Sequence, residues 1–330
     1  MGYALKETKY RYRAYTENGT WQKGFLTEDK NISIHEGSNV FHYGQALFEG
    51  LKAYKTKDGD VQLFRPDLNY IRINEGLKRI VAPELPEELF FEAIEEVVRA
   101  NKDDIPEYGD GKSLYIRPFV IGQGMNLGVK PSEEYLFSVF CAPVGTYFKG
   151  GLAALDFVTT DYDRAAANGT GKVKVAGNYA ASLYPRQQAI DAGYAGVIYL
   201  DPLTHSKIDE VGAANFFAVT HDNVLVTPKS SSILPSITKR SILYIAEHML
   251  GMKVEERDAH IDNLDEFKEA GACGTAAIIT PIGSITHKGK KTIFGDGETV
   301  GEVTKKLYDT LVKIYYGDME APEGWIRKVL

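Results

Sequence analysis

Two short turns decide the style of this fold. Asn18-Gly19 and Asp58-Gly59 each stand between runs of alternating apolar and polar residues, over residues 12–24 and 50–66. A two-residue hairpin turn demands residues that accept positive φ, and Asn-Gly and Asp-Gly do so at little cost. Both segments therefore read as antiparallel hairpins. Helical spacing follows over residues 67–81, with Leu68, Ile71, Leu77 and Ile80 expected inward. A second helix is predicted over 86–102, opened by Pro86 and acidic residues and closed by Lys102. SLYIRPFVIG (113–122) and YLFSVFCAPVG (135–145) read as core strands. Hairpins mixed with helices do not fit the strict βαβ alternation of a doubly wound parallel sheet. No G-x-G-x-x-G follows a strand and no Walker A string occurs, so dinucleotide and P-loop readings are weak.

The chain has 330 residues, which at about 150 residues per domain suggests two. Gly150-Gly151, in a composition shift after a strand, is the best break. The expected organisation is a small N-terminal α/β domain over 1–146, a linker over 147–154 and a larger C-terminal domain over 155–330. Beyond the break come a short strand at 196–200, a hairpin through His221-Asp222-Asn223, and a helix over 235–251. That helix has Ser236 as N-cap and Gly251 as C-cap. Residues 275–286 are strand-rich again, and a last helix ends at Gly317.

Several functions are disfavoured by composition. A formal net charge of -7 argues against nucleic acid or an anionic membrane as partner. Two cysteines, Cys141 and Cys273, make neither a disulfide framework nor a cysteine-based zinc site. The longest apolar runs fall far short of the roughly 20 residues of a membrane span. The N-terminus shows no apolar signal region. A reducing, cytoplasmic setting is the expectation.

Five segments carry candidate chemistry. In KVKVAGNY, Lys172 and Lys174 alternate with Val173 and Val175, a strand period that places both lysines on one face. A lysine at the end of a buried strand beside small residues is a candidate Schiff-base nucleophile, because burial disfavours the ammonium. A helix should follow, with Pro185 in an early turn or bending it. Asp209 and Glu210 stand before a strongly apolar strand, where an acid could face a heteroaromatic ring nitrogen. The helix opening at Ser236-Ile237-Thr238 is an anion site in kind. Arg65, held at a turn by Pro66, can grip phosphate bidentately. Gly274-Thr275-Ala276 is a small-residue turn whose amides could meet a carboxylate.

Taken together, HYGQALFEGLKAY, LFRPDLN, SLYIRPFVIG, KVAGNYAASL, EVGAANFF, ILPSITKRSIL and GTAA resemble, in order and over nearly the whole chain, the class IV aminotransferases. The similarity is greatest to the branched-chain amino acid aminotransferases. The resemblance implies the two-domain α/β (α+β) fold type IV of pyridoxal 5'-phosphate (PLP) enzymes, a small domain beside a larger pseudo-barrel domain. It selects Lys174 over Lys172 as the coenzyme-bearing lysine. It implies that Tyr179 bonds the phenolic oxygen of the coenzyme, Glu210 its ring nitrogen, and Arg65, Ile237, Thr238 and Thr275 its phosphate. It assigns Thr275 and Ala276 amides and Tyr115 to the substrate carboxylate, and Arg117 to the side-chain carboxylate of glutamate. Phe48, Tyr147, Tyr15, Tyr43, Leu127 and Val129 would line the apolar pocket, some from a partner subunit in a homodimer with shared sites. The Tyr115-Ile116-Arg117 string is similar to the Y-x-R of branched-chain enzymes, whereas D-amino acid aminotransferases carry R-x-H there. D-amino acid aminotransferases and aminodeoxychorismate lyases are the rivals on the same fold, and a non-catalytic anion-binding protein is the rival of another class. Some mammalian members have Cys-x-x-Cys after Gly-Thr-Ala. Here Ala277-Ile278-Ile279 follows, so no such redox pair is expected.

Overall fold

The computed structural model describes residues 6–145 and 152–330. Contacts within the chain separate two units. The first contains Met1–Tyr147, Val173–Gly177 and Lys313–Leu330; the second contains Phe148–Lys172 and Asn178–Val312.

The first unit is built on a nine-stranded sheet. Its centre is the antiparallel pair Ser113–Gln123 and Glu134–Val144, in register over their whole length. Arg11–Glu17 pairs with the second of these. The Asn18-Gly19 turn, with both residues at positive φ, returns the chain onto Arg11–Glu17. Leu51–Lys55 and Val61–Phe64 form the hairpin across Asp58-Gly59. One face of the sheet is a core of Tyr12, Leu47, Leu63, Ile116 and Phe137, packed with Ile73, Leu77, Phe90 and Ile94. Each such fully buried side chain contributes roughly 1.5–3 kcal/mol.

Two helices supply that cover, Pro66–Arg79 and Glu87–Ala100. The first departs from the inward face expected for it. Leu77 is buried, but Ile71 is exposed, and Asn69, Arg72 and Ile73 turn inward. The cause is a buried acid beneath the helix, Glu49, which draws the polar pair Asn69 and Arg72 to itself. Gly76 lies against Leu47, where a Cβ would stand 2.5 Å from a leucine methyl, so the helix approaches more closely than any side chain would permit.

The second unit holds another nine-stranded sheet, in which Ile208–Val211 pairs both with Gly196–Leu200 and with Ala214–Thr220. That double pairing closes a six-stranded ring, running through Leu155–Thr159, Ile278–His287 and Phe267–Gly274. The hairpin through residues 221–223 forms, with Asn223 at positive φ. Ser236 Oγ caps helix Ile237–Tyr244 by accepting the Lys239 N–H at 3.1 Å; the chain runs on as a wider π turn over Ile245–Met249, so Leu250 rather than Gly251 is the C-cap, and Gly251 follows it at φ 64°.

The lysine segment is a correction. Residues 172–175 are not a strand; a single bridge joins Val175 to Leu47. Val173 and Val175 are buried in the first core, while Lys172 is exposed and Lys174 half-buried. Helix Ala176–Ala181 follows, and a second helix, Leu183–Asp191, begins two residues before Pro185. The proline thus occupies a first turn, where its missing N–H costs nothing.

Candidate active site

In the first unit the strand registers gather several of the expected residues. Directly paired residues share a face. Lys52 opposes Tyr115 and Phe48 opposes Phe119; Tyr115, Arg117 and Phe119 alternate along one strand, so all of them face away from the core. The Arg117 guanidinium lies 4.6 Å from the Phe48 ring and 5.2 Å from the Tyr115 ring, and donates to the Tyr115 hydroxyl at 3.2 Å. Its Nε–H is buried without a hydrogen-bond partner among the described residues. Gly50 makes room for this cluster, because a Cβ there would stand 2.0 Å from the Tyr115 hydroxyl.

Lys174 joins the same group. Its carbonyl accepts the Phe48 N–H at 3.2 Å, and its Nζ sits 4.7 Å from the Phe48 ring centroid. Beside Phe48 lies Glu49, fully buried and held bidentately by Arg72 at 2.7 and 2.8 Å, with Asn69 at 2.7 Å. Burial pushes its pKa up, but Arg72, the positive charge of Lys174 and the Asn69 bond outweigh this and hold the carboxyl below its usual range.

The other expected residues of this unit stand differently. Arg65 takes a left-handed conformation (φ 47°, ψ 47°) at the start of its helix, with its guanidinium 4.5 Å over the Trp325 ring. Tyr15 stacks on Phe25. Tyr43 donates to the Leu127 carbonyl, and Leu127 and Val129 are among the most exposed apolar residues. Tyr147 lies outside the described residues.

In the second unit Glu210 is the focus. It is 3% exposed and sits on the ring-closing strand. Arg164 Nε reaches its Oε2 at 2.5 Å, while Asn215 Nδ2 and the Leu234 N–H donate to Oε1 at 3.1 and 2.9 Å. Three donors thus converge on one carboxylate. Arg164 also donates to the Gly171 and Ser232 carbonyls, so it ties together the loops around the acid. Asp209, on the opposite strand face, accepts from Ser232 Oγ, and burial pushes its pKa up.

Asn178, one residue before Tyr179, is buried and locked to Thr170 by bonds of 2.7 and 2.8 Å. Thr238 is buried in the first turn of its helix, one residue after Ile237. Thr275 and Ala276 form the turn between Phe267–Gly274 and Ile278–His287. Ile278 leaves that turn at φ 65°, a strained value for a β-branched residue.

Residues 46–285 match the family model for class IV amino-transferases. The chain belongs to the class IV aminotransferases. The branched-chain-amino-acid aminotransferase of Haemophilus influenzae is 57% identical to it, over 100% of this chain and 97% of that one. Among solved structures, the branched-chain amino acid aminotransferase of Escherichia coli aligns with a TM-score of 0.81 at 28% identity, covering 98% of this chain and 100% of that one. A T.th. branched-chain amino acid aminotransferase with pyridoxamine 5'-phosphate gives a TM-score of 0.81 at 27% identity, covering 99% of this chain and 100% of that one. The fold is accordingly that of fold type IV aminotransferases.

For a class IV aminotransferase, motif reading missed four groups that the structure brings to these side chains. Glu49 and Arg72 form a buried ion pair, and Arg164 grips Glu210. Lys52, opposite Tyr115, is almost wholly buried, and burial pushes its amine down to about 7. Glu49 lies inside the FEG string, but nothing in sequence says that an acid between two apolar strands is buried. Removing one partner of a buried ion pair leaves the other charge stranded, at about 3–5 kcal/mol. Glu49→Ala should therefore lower the urea midpoint by that equivalent; a variant as stable as the parent would contradict the pairing.

Both cysteines are buried and free. Burial pushes Cys141 up to about 11 and Cys273 up to about 12, so both thiols are inert near neutrality. Among the described residues no group of three or more His, Cys, Asp and Glu could hold a metal ion, and no helix is long and apolar enough to cross a membrane.

Proposed function

We propose that the chain is a PLP-dependent branched-chain amino acid aminotransferase, moving the amino group between L-leucine, L-isoleucine or L-valine and 2-oxoglutarate. Its family and full-length relatives support this. The observation that carries the substrate assignment is Arg117, a guanidinium seated against Phe48 and Tyr115 with a buried Nε–H that has no partner among the described residues. A mostly apolar wall with one reachable arginine accepts both a branched side chain and the carboxylate of glutamate.

The donor set fits the coenzyme. Lys174 offers the amine that would hold it covalently. The Glu210 carboxylate, already fixed by Arg164, Asn215 and Leu234, would keep a proton on the ring nitrogen. Tyr179 would bond the phenolic oxygen. Arg65, Ile237, Thr238 and Thr275 would hold the phosphate. Bound there, PLP supplies an electron sink for charge left at the substrate α-carbon. The Lys174 amine would take the proton from that carbon and pass it to the coenzyme within the same half of the cycle, and would run the transfer in reverse on 2-oxoglutarate. Tyr115, with the Thr275 and Ala276 amides, would orient the substrate carboxylate. The pocket separates valine from isoleucine poorly, since one methylene is worth about 1–3 kcal/mol.

The chain would work in the cytoplasm as a homodimer. Two buried, unpaired thiols support the first statement, and the exposed Leu127 and Val129 support the second. In a partner subunit these two, with Tyr43, would complete the side-chain pocket, alongside Tyr15 and Tyr147.

Parallel assays with L-leucine, D-alanine and aminodeoxychorismate test the reading. L-Leucine with 2-oxoglutarate should be turned over at least about a hundredfold faster than D-alanine, the discrimination expected when bound groups are left mispaired. Preference for either rival substrate would overturn the assignment.

A further inference from the structure

The C-terminal tail is built around Arg65. Trp325, 6% exposed, accepts the Arg65 N–H on its carbonyl at 2.7 Å and lies under the guanidinium at 4.5 Å. Its ring is set edge-on against Phe64 at 5.4 Å, and Phe64 packs likewise on Tyr315 at 4.6 Å. Ile326–Lys328 pairs with Val61–Phe64, the strand that delivers Arg65. The tail is fastened further along as well, where Val61 N–H reaches the Leu330 carbonyl at 2.9 Å and Val329 N–H the Val61 carbonyl at 2.8 Å.

A guanidinium makes its hydrogen bonds in its own plane. A ring held 4.5 Å from its central carbon therefore limits the directions in which it can grip an oxyanion. Arg65 needs that support more than most arginines, because its backbone is left-handed, a conformation a non-glycine residue holds only when its surroundings impose it. We propose that Trp325 is the positioning residue for Arg65, and that through it the C-terminal tail sets how tightly the chain retains the phosphate of its coenzyme. This rests on the reading of Arg65 as a phosphate ligand.

Full-length protein stripped of coenzyme would be titrated with PLP and with pyridoxal, which lacks the phosphate. Trp325→Leu keeps apolar bulk but removes the π face; it should raise the Kd for PLP about tenfold and leave that for pyridoxal unchanged. Trp325→Phe should restore most of the loss. Should Trp325→Leu not fold, Trp325→Phe alone carries the test, with a rise of about two- to threefold confined to PLP. Arg65→Ala should weaken PLP by more than Trp325→Leu, and the double variant should be no weaker than Arg65→Ala, because the two act as a unit.

The failures are distinguishable. If Arg65→Ala leaves PLP affinity intact, Arg65 is not the phosphate ligand and the site reading falls. If Arg65→Ala weakens PLP but the Trp325 variants do not, or weaken PLP and pyridoxal alike, the role of Trp325 is refuted.

Discussion

Lys174→Ala is expected to abolish transamination and the yellow absorbance of the holoenzyme, while Lys172→Ala keeps both. The loss should exceed about 10⁴-fold, since one amine is both the covalent anchor and the general base, and base catalysis alone is worth about 10²–10⁴-fold. The substitution also removes a positive charge near buried Glu49, which Arg72 and Asn69 continue to hold. The backbone at 174 is fixed by the bond from Phe48 and by the burial of Val173 and Val175, so the alanine variant should fold as the parent does. Lys172 is exposed and its loss should be silent. Borohydride reduction of the holoenzyme followed by peptide mapping gives an independent check. Label recovered on Lys172, or full activity in Lys174→Ala, would end the assignment.

Glu210→Gln should lower kcat by on the order of 10²–10³-fold, the size seen when one preorganised electrostatic group is lost. The volume is kept, so the defect is one of charge. A neutral amide cannot hold a proton on the ring nitrogen, and the electron sink weakens. The change also strands the Arg164 guanidinium, which is 10% exposed and 2.5 Å from Oε2. Glu210→Gln should therefore be less stable than the parent as well as slower. Measuring kcat beside coenzyme content separates a slow loaded enzyme from an empty one. A Glu210→Gln protein within about twofold of the parent kcat would remove Glu210 from the mechanism.

Much of the fold was legible because its signals are local. Asn18-Gly19 and Asp58-Gly59 announce hairpins by backbone chemistry alone, and Ser236 announces the start of a helix. Residues 172–175 misled because alternating Lys and Val satisfy a strand period, yet only Val175 finds a bridging partner, on Leu47. Ile71 misled because helical spacing cannot foresee that Asn69 and Arg72 will be pulled inward by an acid on a different element, Glu49. The cluster of Phe48, Tyr115, Arg117 and Lys174 falls on residues that motif matching had named. Arg164 and Trp325 lie outside those motifs and reach Glu210 and Arg65 only through tertiary structure, which no spacing rule encodes.

The ring closed by Ile208–Val211 has one more implication. A strand laced on both flanks cannot slide or swing without breaking a circle of ladders, so Glu210 is carried on a strand held from both sides. The Thr275–Ala277 turn sits at a rim and is bound by no such circle. Substrate range on this scaffold can therefore drift by changes at rims and strand faces, while the acid stays where the ring puts it.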